Sequence, residues 1–590
     1  MIKMLLPSYV FFVSAFFICF INKRWRNVVA LSTPFASYIL FLVVKGKIIS
    51  VNFLENELTI FFANKLNTPF FYVFLIISFL GFLYILHSEN KKEFIFPMLY
   101  AGSSVGLLFC NDFLSLYIFW ELMALTSTMV VWMANDERSY KAGIRYFLVH
   151  LFGGFLLLSG ILLFYNETGS FAFKELDFNK LYSKLILLSF IINAAVPPFS
   201  AWLPDAYPTS TIGGSVFLSA FTTKSAVYVL LKFFAGSEIL VILGSVMAVF
   251  GVIYAFLVLD MRRLLSYHII SQVGFMVTGV GLGTELAQNG AIAHAFTHII
   301  YKGLLFMSVG GIIYVTDKEK LTELGGLLSS QRVLFLYYMV GALSISGFPF
   351  LSGFVSKSLT ITVSQELHKN FPWLMLNIAT TGTFISVALK LPYLAFIKDD
   401  RQINAVTKIP VNMHISMIIA SLLCVLIGLF PMIFYQILPF NVFYEPYTYE
   451  HLIFTFELFL GAFIAFYLYA EKIEKGHYYT VLDFDWIYRR GTKLILRAFY
   501  FIIDSLNIFL KQALEKGYVS IIWFLRNPVV ALNIFFKTFL FLIGFKKVRV
   551  EIEKEIKKYP EDTVKHWPIG VTILYVTILL LLFLMVYYII

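Results

Sequence analysis

Residues 111–123 read Asn-Asp-Phe-Leu-Ser-Leu-Tyr-Ile-Phe-Trp-Glu-Leu-Met and place the carboxylate of Glu121 in a run of about twenty residues with almost no other charge. An ionisable side chain at the centre of a bilayer costs about 2.5–3.5 kcal/mol on insertion scales, so such a residue is a functional candidate. Five more ionisable residues lie in equally apolar surroundings downstream: Lys224, His294, His298, Lys302 and Lys357.

The composition is that of a membrane protein. Of 590 residues, 59% are hydrophobic and 14% are charged. Apolar runs of about 18 residues or more, long enough to span a bilayer, recur along the whole chain. Because backbone polar groups in lipid must be satisfied internally, these runs predict helices. We therefore predict an all-α integral membrane protein.

Charge and cysteine content exclude several other classes. The net charge of +11 does not indicate nucleic-acid binding, because the basic residues lie in loops between apolar runs and near the C-terminus. Cys19, Cys110 and Cys424 are far apart and form no metal-binding or redox motif. We expect no cofactor, no metal and no redox centre. Residues 4–21 lack an evident small-residue cleavage site, so we interpret them as a first span.

The apolar runs predict sixteen membrane spans. Lysine and arginine favour the loops on one side, sixteen against eight, and the basic side is expected inside the cell. This places both termini outside the inner (cytoplasmic) membrane of a prokaryotic cell. The approximate bounds of the spans are 4–21, 27–44, 70–87, 94–110, 113–133, 141–165, 182–200, 213–234, 239–259, 263–283, 288–315, 333–358, 374–397, 413–435, 452–470 and 568–590.

Two of these spans contain helix-breaking sequences. Span seven runs into Val-Pro-Pro-Phe-Ser-Ala-Trp-Leu-Pro at 196–204, and span twelve contains Ser-Ile-Ser-Gly-Phe-Pro-Phe-Leu-Ser-Gly at 344–353. Proline removes a helix hydrogen bond, so both helices should break there. Broken helices in corresponding positions, five spans apart, are typical of transporters built from inverted repeats. Two ordinary proline kinks are the alternative.

The segment 486–546 is too long and too polar to be one span. Its polar residues recur at steps of four and seven from Arg489 to Glu515, which indicates an amphipathic helix. At 1.5 Å per residue it could be roughly 85–90 Å long, with a kink or break expected at Gly517 or Pro528. We predict a lateral helix on the cytoplasmic side that lies across neighbouring subunits; a membrane anchor without a partner is the alternative.

The predicted chain therefore has six parts. Three N-terminal spans precede two inverted five-helix repeats, which are followed by two further spans, the lateral helix and a C-terminal span. Their ranges are 1–93, 94–234, 239–397, 413–470, 486–546 and 568–590.

Six motifs within residues 95–360 resemble those of one protein family. In order, they are Phe119-Trp-Glu-Leu-Met, Trp202-Leu-Pro-Asp-Ala-Tyr-Pro, Thr222-Thr-Lys, Arg262-Arg-Leu-Leu-Ser-Tyr-His-Ile-Ile-Ser-Gln, His294-Ala-Phe-Thr-His-Ile-Ile-Tyr-Lys and Gly353-Phe-Val-Ser-Lys. The chain resembles the antiporter-like subunits of respiratory complex I, of Mrp-type cation/proton antiporters and of membrane-bound hydrogenases. Its architecture is most similar to the distal complex I subunit, which ends in a lateral helix and a sixteenth span.

The resemblance implies a role in proton translocation for each candidate. Glu121 would modulate the charge of a nearby lysine, and Lys302 would be the central protonatable lysine. His294 and His298 would complete the path; they share a helix face with Lys302, and satisfied core histidines or zinc ligands are the alternatives. Lys357, at the end of span twelve, would face the exit. The predicted orientation agrees, because that span runs from inside to outside.

One position departs from the family pattern. The lysine that usually partners the span-five glutamate is replaced by Asn193, and an amide cannot take up and release a proton near neutral pH. Lys224 is the obvious substitute partner for Glu121. If Lys224 does not reach the carboxylate, the partner of Glu121 is unknown, and an inactive first half-channel is the alternative. A buried Glu–Lys pair that only fixes helix register is the alternative.

Three further residues complete the candidate set. His150 could relay protons or pack in the core. His268 lies in the motif that begins at Arg262. Lys390 is near the inner end of its span, and we expect it to snorkel to the membrane surface.

We predict a proton-translocating, antiporter-like subunit of a multi-subunit redox-driven membrane complex of the complex I or hydrogenase kind. The chain is expected to have no catalytic site of its own, so the driving energy would come from other membrane subunits that contact its core and lateral helix. An Mrp-type cation/proton antiporter subunit, which could also move Na⁺, is one alternative. A membrane subunit of an inorganic-carbon uptake complex and a non-conducting structural subunit are others.

Overall fold

The computed structural model describes residues 6–53, 56–398, 407–474, 483–542, 548–559 and 569–589. Within these ranges the fold is all-α, as predicted, apart from one antiparallel hairpin of β1 (Ile48–Phe53) and β2 (Asn56–Phe62). The chain divides into two compact units, Met1–Trp486 and Ile487–Ile590.

The helices of the first unit follow the predicted spans. Ten helices in the described residues are long and apolar enough to cross a membrane, or eleven if one bent pair counts as a single span. The number sixteen therefore stays a prediction. The bounds are α1 Pro7–Phe20, α2 Lys23–Val44, α3 Thr68–Tyr84, α4 Lys92–Phe109, α5 Phe113–Trp132, α6 Glu137–Thr168, α7 Leu181–Asn193, α8 Trp202–Ala206, α9 Ile212–Leu218, α10 Thr222–Phe234, α11 Glu238–Leu257, α12 Met261–Leu282, α13 Glu285–Thr316, α14 Arg332–Ser346, α15 Ser352–Glu366, α16 Asn370–Thr383, α17 Val411–Leu429, α18 Pro431–Tyr435 and α19 Tyr449–Glu474.

Polar residues in the loops determine where the helices that carry candidate residues begin. Asp112 accepts a hydrogen bond from the backbone N–H of Ser115 at 2.7 Å and so caps α5. Thr284 accepts one from Ala287 at 3.2 Å and caps α13. Each cap satisfies one of the backbone donors that the first turn of a helix leaves unpaired.

Both predicted helix breaks are confirmed. The first separates α7 from α8, and the indole N–H of Trp202 donates across it to the carbonyl of Ile192 at 3.1 Å. The second separates α14 from α15; Gly347 adopts the left-handed φ of +80° that glycine tolerates without strain. Each break leaves helix-terminal carbonyls inside the protein without their usual intrahelical donors.

Several backbone features differ from the predicted spans. The span predicted at 213–234 is interrupted at Ser219–Phe221, between α9 and α10. The helix that carries Lys357 continues to Glu366, eight residues beyond the predicted end at 358. A π-helical segment, Phe384–Lys390, follows α16. Apolar periodicity reports which residues are buried but not the local hydrogen-bond pattern, so it did not predict these features or the β-hairpin.

Glycines allow α11 and α12 to pack with their backbones in contact. A Cβ atom added at Gly251 would lie 2.4 Å from the backbone nitrogen of Ser271, and one added at Gly274 would lie 2.6 Å from that of Ala248. Backbone atoms cannot move aside as a side chain can. Small residues at helix contacts therefore determine how closely these two helices approach in the membrane.

We expect Gly251→Ala to lower the stability of the folded protein by about 1–3 kcal/mol, because the added methyl group overpacks the contact with α12. Gly461→Ala in α19 is the matched control, since nothing lies within 4 Å of its added Cβ. The thermal unfolding of the detergent-purified protein measures the difference. Equal midpoints for the two variants would contradict the close contact.

The second unit contains four helices within its described residues. They are α20 Asp485–Arg526, which begins in the first unit, α21 Pro528–Leu542, α22 Val548–Lys558 and α23 Ile569–Ile589. The predicted break at Pro528 is confirmed, whereas Gly517 lies inside the uninterrupted α20. Lys537 pairs with Glu555 of α22 at 2.9 Å. That the helix lies laterally on the membrane stays a prediction.

Candidate functional site

Three candidate residues lie on one face of α13, as their spacing predicts. His294, His298 and Lys302 are all fully buried. The ring centroids of the two histidines are 6.1 Å apart. Tyr301 connects them, since its hydroxyl lies 3.4 Å from Nε2 of His294 and its ring lies 5.3 Å from that of His298.

A serine connects this row to α15. The Oγ atom of Ser356 lies 3.1 Å from Nδ1 of His294 and accepts a hydrogen bond from Thr297 at 2.8 Å. Ser356 immediately precedes Lys357. The ring of Phe275 lies between the two sites, with its centroid 5.6 Å from that of His294 and 4.8 Å from Nζ of Lys357.

Two buried lysines donate to carbonyls at helix breaks. Nζ of Lys224 donates to the carbonyl of Ser219 at 2.7 Å, at the C-terminal end of α9, and to the hydroxyl of Thr223 at 3.2 Å. Nζ of Lys357 donates to the carbonyl of Ile345 at 2.6 Å, at the C-terminal end of α14. Free carbonyls at a helix C-terminus carry partial negative charge and favour a cation there. Each ammonium group is therefore stabilised without a carboxylate.

Lys390 follows the same rule, and the expectation that it snorkels to the surface is wrong. Its side chain is buried, at 3% exposure. Its Nζ donates to the carbonyls of Phe256 and Val258 at the C-terminal end of α11. These carbonyls lack intrahelical donors, so they replace water as hydrogen-bond acceptors for the buried ammonium group.

Lys302 differs from the other three buried lysines. Its Nζ has no hydrogen-bond acceptor among the residues that the structure describes. The two ring nitrogens of His298 also have no partners in that part of the chain. The charges of Lys224 and Lys302 are close enough to interact, and both act on His298. Lys224 in the first predicted repeat is thus electrostatically connected to α13 in the second.

His268 occupies a central position in the second predicted repeat. Its Nε2 lies 2.8 Å from the hydroxyl of Ser386 in the π-helical segment. It lies within electrostatic reach of Lys302, Lys357 and Lys390. Nothing in the sequence marks Ser386, because serine is common in membrane helices and its contact depends on the π-helical turn.

Glu121 stands apart from the lysines. One of its carboxylate oxygens, Oε1, is buried without a hydrogen-bond partner in the described part of the chain. That part of the chain also contains no ion pair between Glu121 and Lys224. The carboxylate lies directly against Gly154 of α6. Ile118 and Leu125, on the same side of α5, are 49% and 39% exposed. Glu121 is therefore near the periphery of this helical unit and not in its interior.

His150 and Asn193 lie next to the same part of α6. Asn193 is fully buried, and neither atom of its amide has a partner among the residues described; its Oδ1 would lie 3.5 Å from a Cβ added at Gly153. Nδ1 of His150 lies 2.9 Å from the carbonyl of Tyr146, and its ring lies 4.5 Å from that of Trp202. Asn193 and Glu121 thus lie against the adjacent glycines Gly153 and Gly154, about one turn along α6 from His150.

Ring and hydroxyl contacts connect His150 to α10, the helix that carries Lys224. The ring of His150 stacks on Tyr146 with centroids 4.1 Å apart. The hydroxyl of Tyr146 lies 3.4 Å from that of Thr222, which lies 2.6 Å from that of Tyr100. Thr222 is two residues before Lys224. Sequence reasoning missed Tyr146 and Tyr100, because tyrosines are common in this chain and only the fold brings these two together.

Arg262 joins the two predicted repeats near one end of α12. It is almost fully buried, donates to the carbonyl of Ser210 at 2.7 Å and pairs with Glu319. Arg138 pairs with the same carboxylate at 3.1 Å, but its side chain is 57% exposed.

We expect Arg262→Gln to destabilise the protein by about 1–3 kcal/mol, because its buried hydrogen bonds to the carbonyl of Ser210 and the carboxylate of Glu319 are lost. Arg138→Gln should change stability by at most about 1 kcal/mol, as is typical of exposed ion pairs. Thermal unfolding of the two purified variants compares them. If both variants unfolded at the temperature of the unchanged protein, the proposed link between the repeats would be wrong.

Comparison with known proteins identifies the class. Residues 110–386 match the family described as NADH:quinone oxidoreductase/Mrp antiporter, TM. The uncharacterized protein MJ1309 of Methanocaldococcus jannaschii is 31% identical over 365 residues, which cover 58% of this chain and 76% of that protein. The chain belongs to this family and is an antiporter-like, multi-pass membrane protein.

Two more similarities concern one relative in sequence and one solved structure. One of the Na(+)/H(+) antiporter subunits of Alkalihalophilus pseudofirmus is 28% identical over 306 residues, and the alignment covers 48% of this chain and 62% of that protein. This is less than two thirds of its length. A chain of the membrane-bound sulfane sulfur reductase, an archaeal respiratory membrane complex, has the same fold: the TM-score is 0.68 at 22% identity, over 84% of this chain and 95% of that chain.

Proposed function

We propose that this chain is a proton-translocating subunit of a multi-subunit membrane complex. The observation that carries the proposal is the buried row formed by Lys224, His298, Lys302, His294 and Lys357, which connects α10, α13 and α15. A membrane protein gains little stability by burying five titratable groups, so a row of them indicates transport.

The order of proton movement follows from how each group is held. Lys224 and Lys357 each have a helix-terminal carbonyl that stabilises the charged form, whereas Lys302 has no such acceptor in the described residues. Burial without an acceptor favours the neutral form of a lysine. We therefore assign Lys302 as the central site that gains and loses its proton during each cycle.

His298 and His294 carry the proton between the lysines. A proton released from Nζ of Lys302 can be taken up at a ring nitrogen of His298, which has no partner in the described part of the chain, and passed to His294, which contacts Ser356 beside Lys357. Two neighbouring groups of like charge disfavour each other. Arrival of a proton at one site therefore promotes its departure from the next.

Glu121 is assigned to the start of the path. It does not contact Lys224, so the connection would run past His150 and through the hydroxyls of Tyr146 and Thr222. Because Glu121 lies near the exposed side of α5, a neighbouring subunit could contact it there. A change in that subunit would alter the charge of Glu121 and so bias the path.

The remaining features of the proposal concern the assembly. We place the chain in the inner membrane of a prokaryotic cell with both termini outside and with α20 on the cytoplasmic side, across other membrane subunits. The repeats are residues 94–234 and 239–397. The similarity to a chain of an archaeal respiratory complex supports the presence of such subunits, and their redox chemistry would supply the energy.

A second candidate function is cation/proton exchange of the Mrp type. Its support is the relative named as a subunit of an Na(+)/H(+) antiporter, together with the unpartnered oxygens of Glu121 and Asn193 within the described chain. Carboxylate and amide oxygens are the ligands that hard cations prefer. Proton flux in vesicles that requires Na⁺, and that needs no electron donor, would favour this candidate.

We expect Lys302→Met to reduce proton translocation at least tenfold, because methionine keeps the apolar stem but cannot hold a proton. The measurement is the fluorescence quenching of a pH-sensitive dye in inverted membrane vesicles that contain the whole complex. Lys47→Met, at an exposed lysine, is the matched control. Unchanged translocation in Lys302→Met and in Glu121→Gln would instead favour a non-conducting structural subunit.

We expect Gly154→Ala to impair translocation as Glu121→Gln does, because the added Cβ would lie 1.7 Å from Oε1 of Glu121 and must displace the carboxylate. Gly153→Ala is the neighbouring control, since its Cβ would make only ordinary contacts, of 3.5 Å or more. The same vesicle assay compares the three variants at equal protein amounts. Equal activity in the two alanine variants would show that the position of Glu121 does not matter.

A further inference from the structure

A cavity of about 70 Å³ lies between α15, α16 and α19 and reaches Lys357. This volume accommodates several water molecules. Polar side chains from all three helices line it. They include Lys357, Thr362, Gln365, Asn377, His451 and Thr455.

The cavity extends from one end of these helices to the lysine. Gln365 is in the last turn of α15 and is exposed, Trp373 is in the first turn of α16, and His451 is in the first turn of α19. Lys357 lies eight residues before Gln365, which is about 12 Å along the helix at 1.5 Å per residue. The lining thus includes both the exposed Gln365 and the buried Lys357.

The polar lining follows a helical spacing. Ser358, Thr362 and Gln365 are four and three residues apart, so they lie on one face of α15 that continues from Lys357 towards the surface. Val363, which follows Thr362 on α15, is buried and does not line the cavity. A row of hydroxyl and amide groups in a membrane helix suits water rather than lipid.

His451 lines this cavity in a defined orientation. Its ring stacks on Phe354 with centroids 4.5 Å apart. Its Nδ1 lies 2.8 Å from the carbonyl of Pro446. A carbonyl only accepts hydrogen bonds, so Nδ1 carries the hydrogen and the neutral ring offers its lone pair at Nε2.

We propose that this cavity is the passage by which protons move between Lys357 and the outer surface, and that His451 is the terminal proton acceptor in it. The Nζ–H bond of Lys357 breaks, water in the cavity carries the proton, and a new N–H bond forms at Nε2 of His451, which then releases the proton to bulk water. This inference rests on the proposed function. His451 lies outside residues 110–386, which match the family.

Cysteine labelling tests the passage independently of transport. Thr362→Cys and Val363→Cys are a matched pair of neighbouring, nearly isosteric changes, made in the full complex with the exposed Cys19 replaced by serine. We expect a membrane-impermeant methanethiosulfonate reagent, applied from outside, to modify Thr362→Cys at least tenfold faster. Equal labelling rates would overturn the proposed passage even if the complex pumps protons. If the complex without cysteine substitutions did not pump protons, only the proposed function would be contradicted.

A second variant tests the role of His451. We expect His451→Ala to lower proton translocation at least fivefold and added imidazole to restore it, because the small base can enter the enlarged cavity. The variant must be present in vesicles at the same level as the unchanged chain. Full activity without imidazole, or a loss that imidazole does not restore, would overturn the role of His451 as an acceptor.

Discussion

An ammonium group inside a membrane needs an acceptor, and this protein supplies one by breaking its helices. Lys224, Lys357 and Lys390 each donate to carbonyls at the C-terminal end of another helix. Those carbonyls are free because a helix ends there, and the partial negative charge of the helix terminus favours the cation. The helix breaks are therefore part of the site and do not only change the direction of the chain.

The same constraint explains why Lys302 is different. It lies in the middle of the long, uninterrupted α13, where every nearby backbone carbonyl is used within the helix. An ammonium group there has only side chains or water to bind, and His298 beside it is in the same situation within the described residues. A charge that is weakly held is one that can move, which suits the centre of a proton path.

Close packing of the surrounding helices keeps this arrangement rigid. The glycines of α11 and α12 bring the two backbones together, and Arg262 joins α12 to the loop before α9. In the first predicted repeat, no ion pair joins Glu121 to Lys224 among the residues that the structure describes. There the hydroxyl of Tyr146 lies 3.4 Å from that of Thr222, which is on the same helix as Lys224.

The sequence by itself determined that the chain is an all-α membrane protein, where two helices break and that Lys224, His294, His298, Lys302 and Lys357 lie in apolar surroundings, because the cost of placing charge or proline in lipid is visible residue by residue. It also determined the shared face of His294, His298 and Lys302, since that depends only on helical spacing. Only the tertiary structure decided that Lys224 does not meet Glu121, that Lys390 is buried and that His451 lies beside the passage to Lys357. Those contacts join helices that are distant in the chain, and their geometry depends on breaks, π-turns and glycine contacts that apolar periodicity does not record.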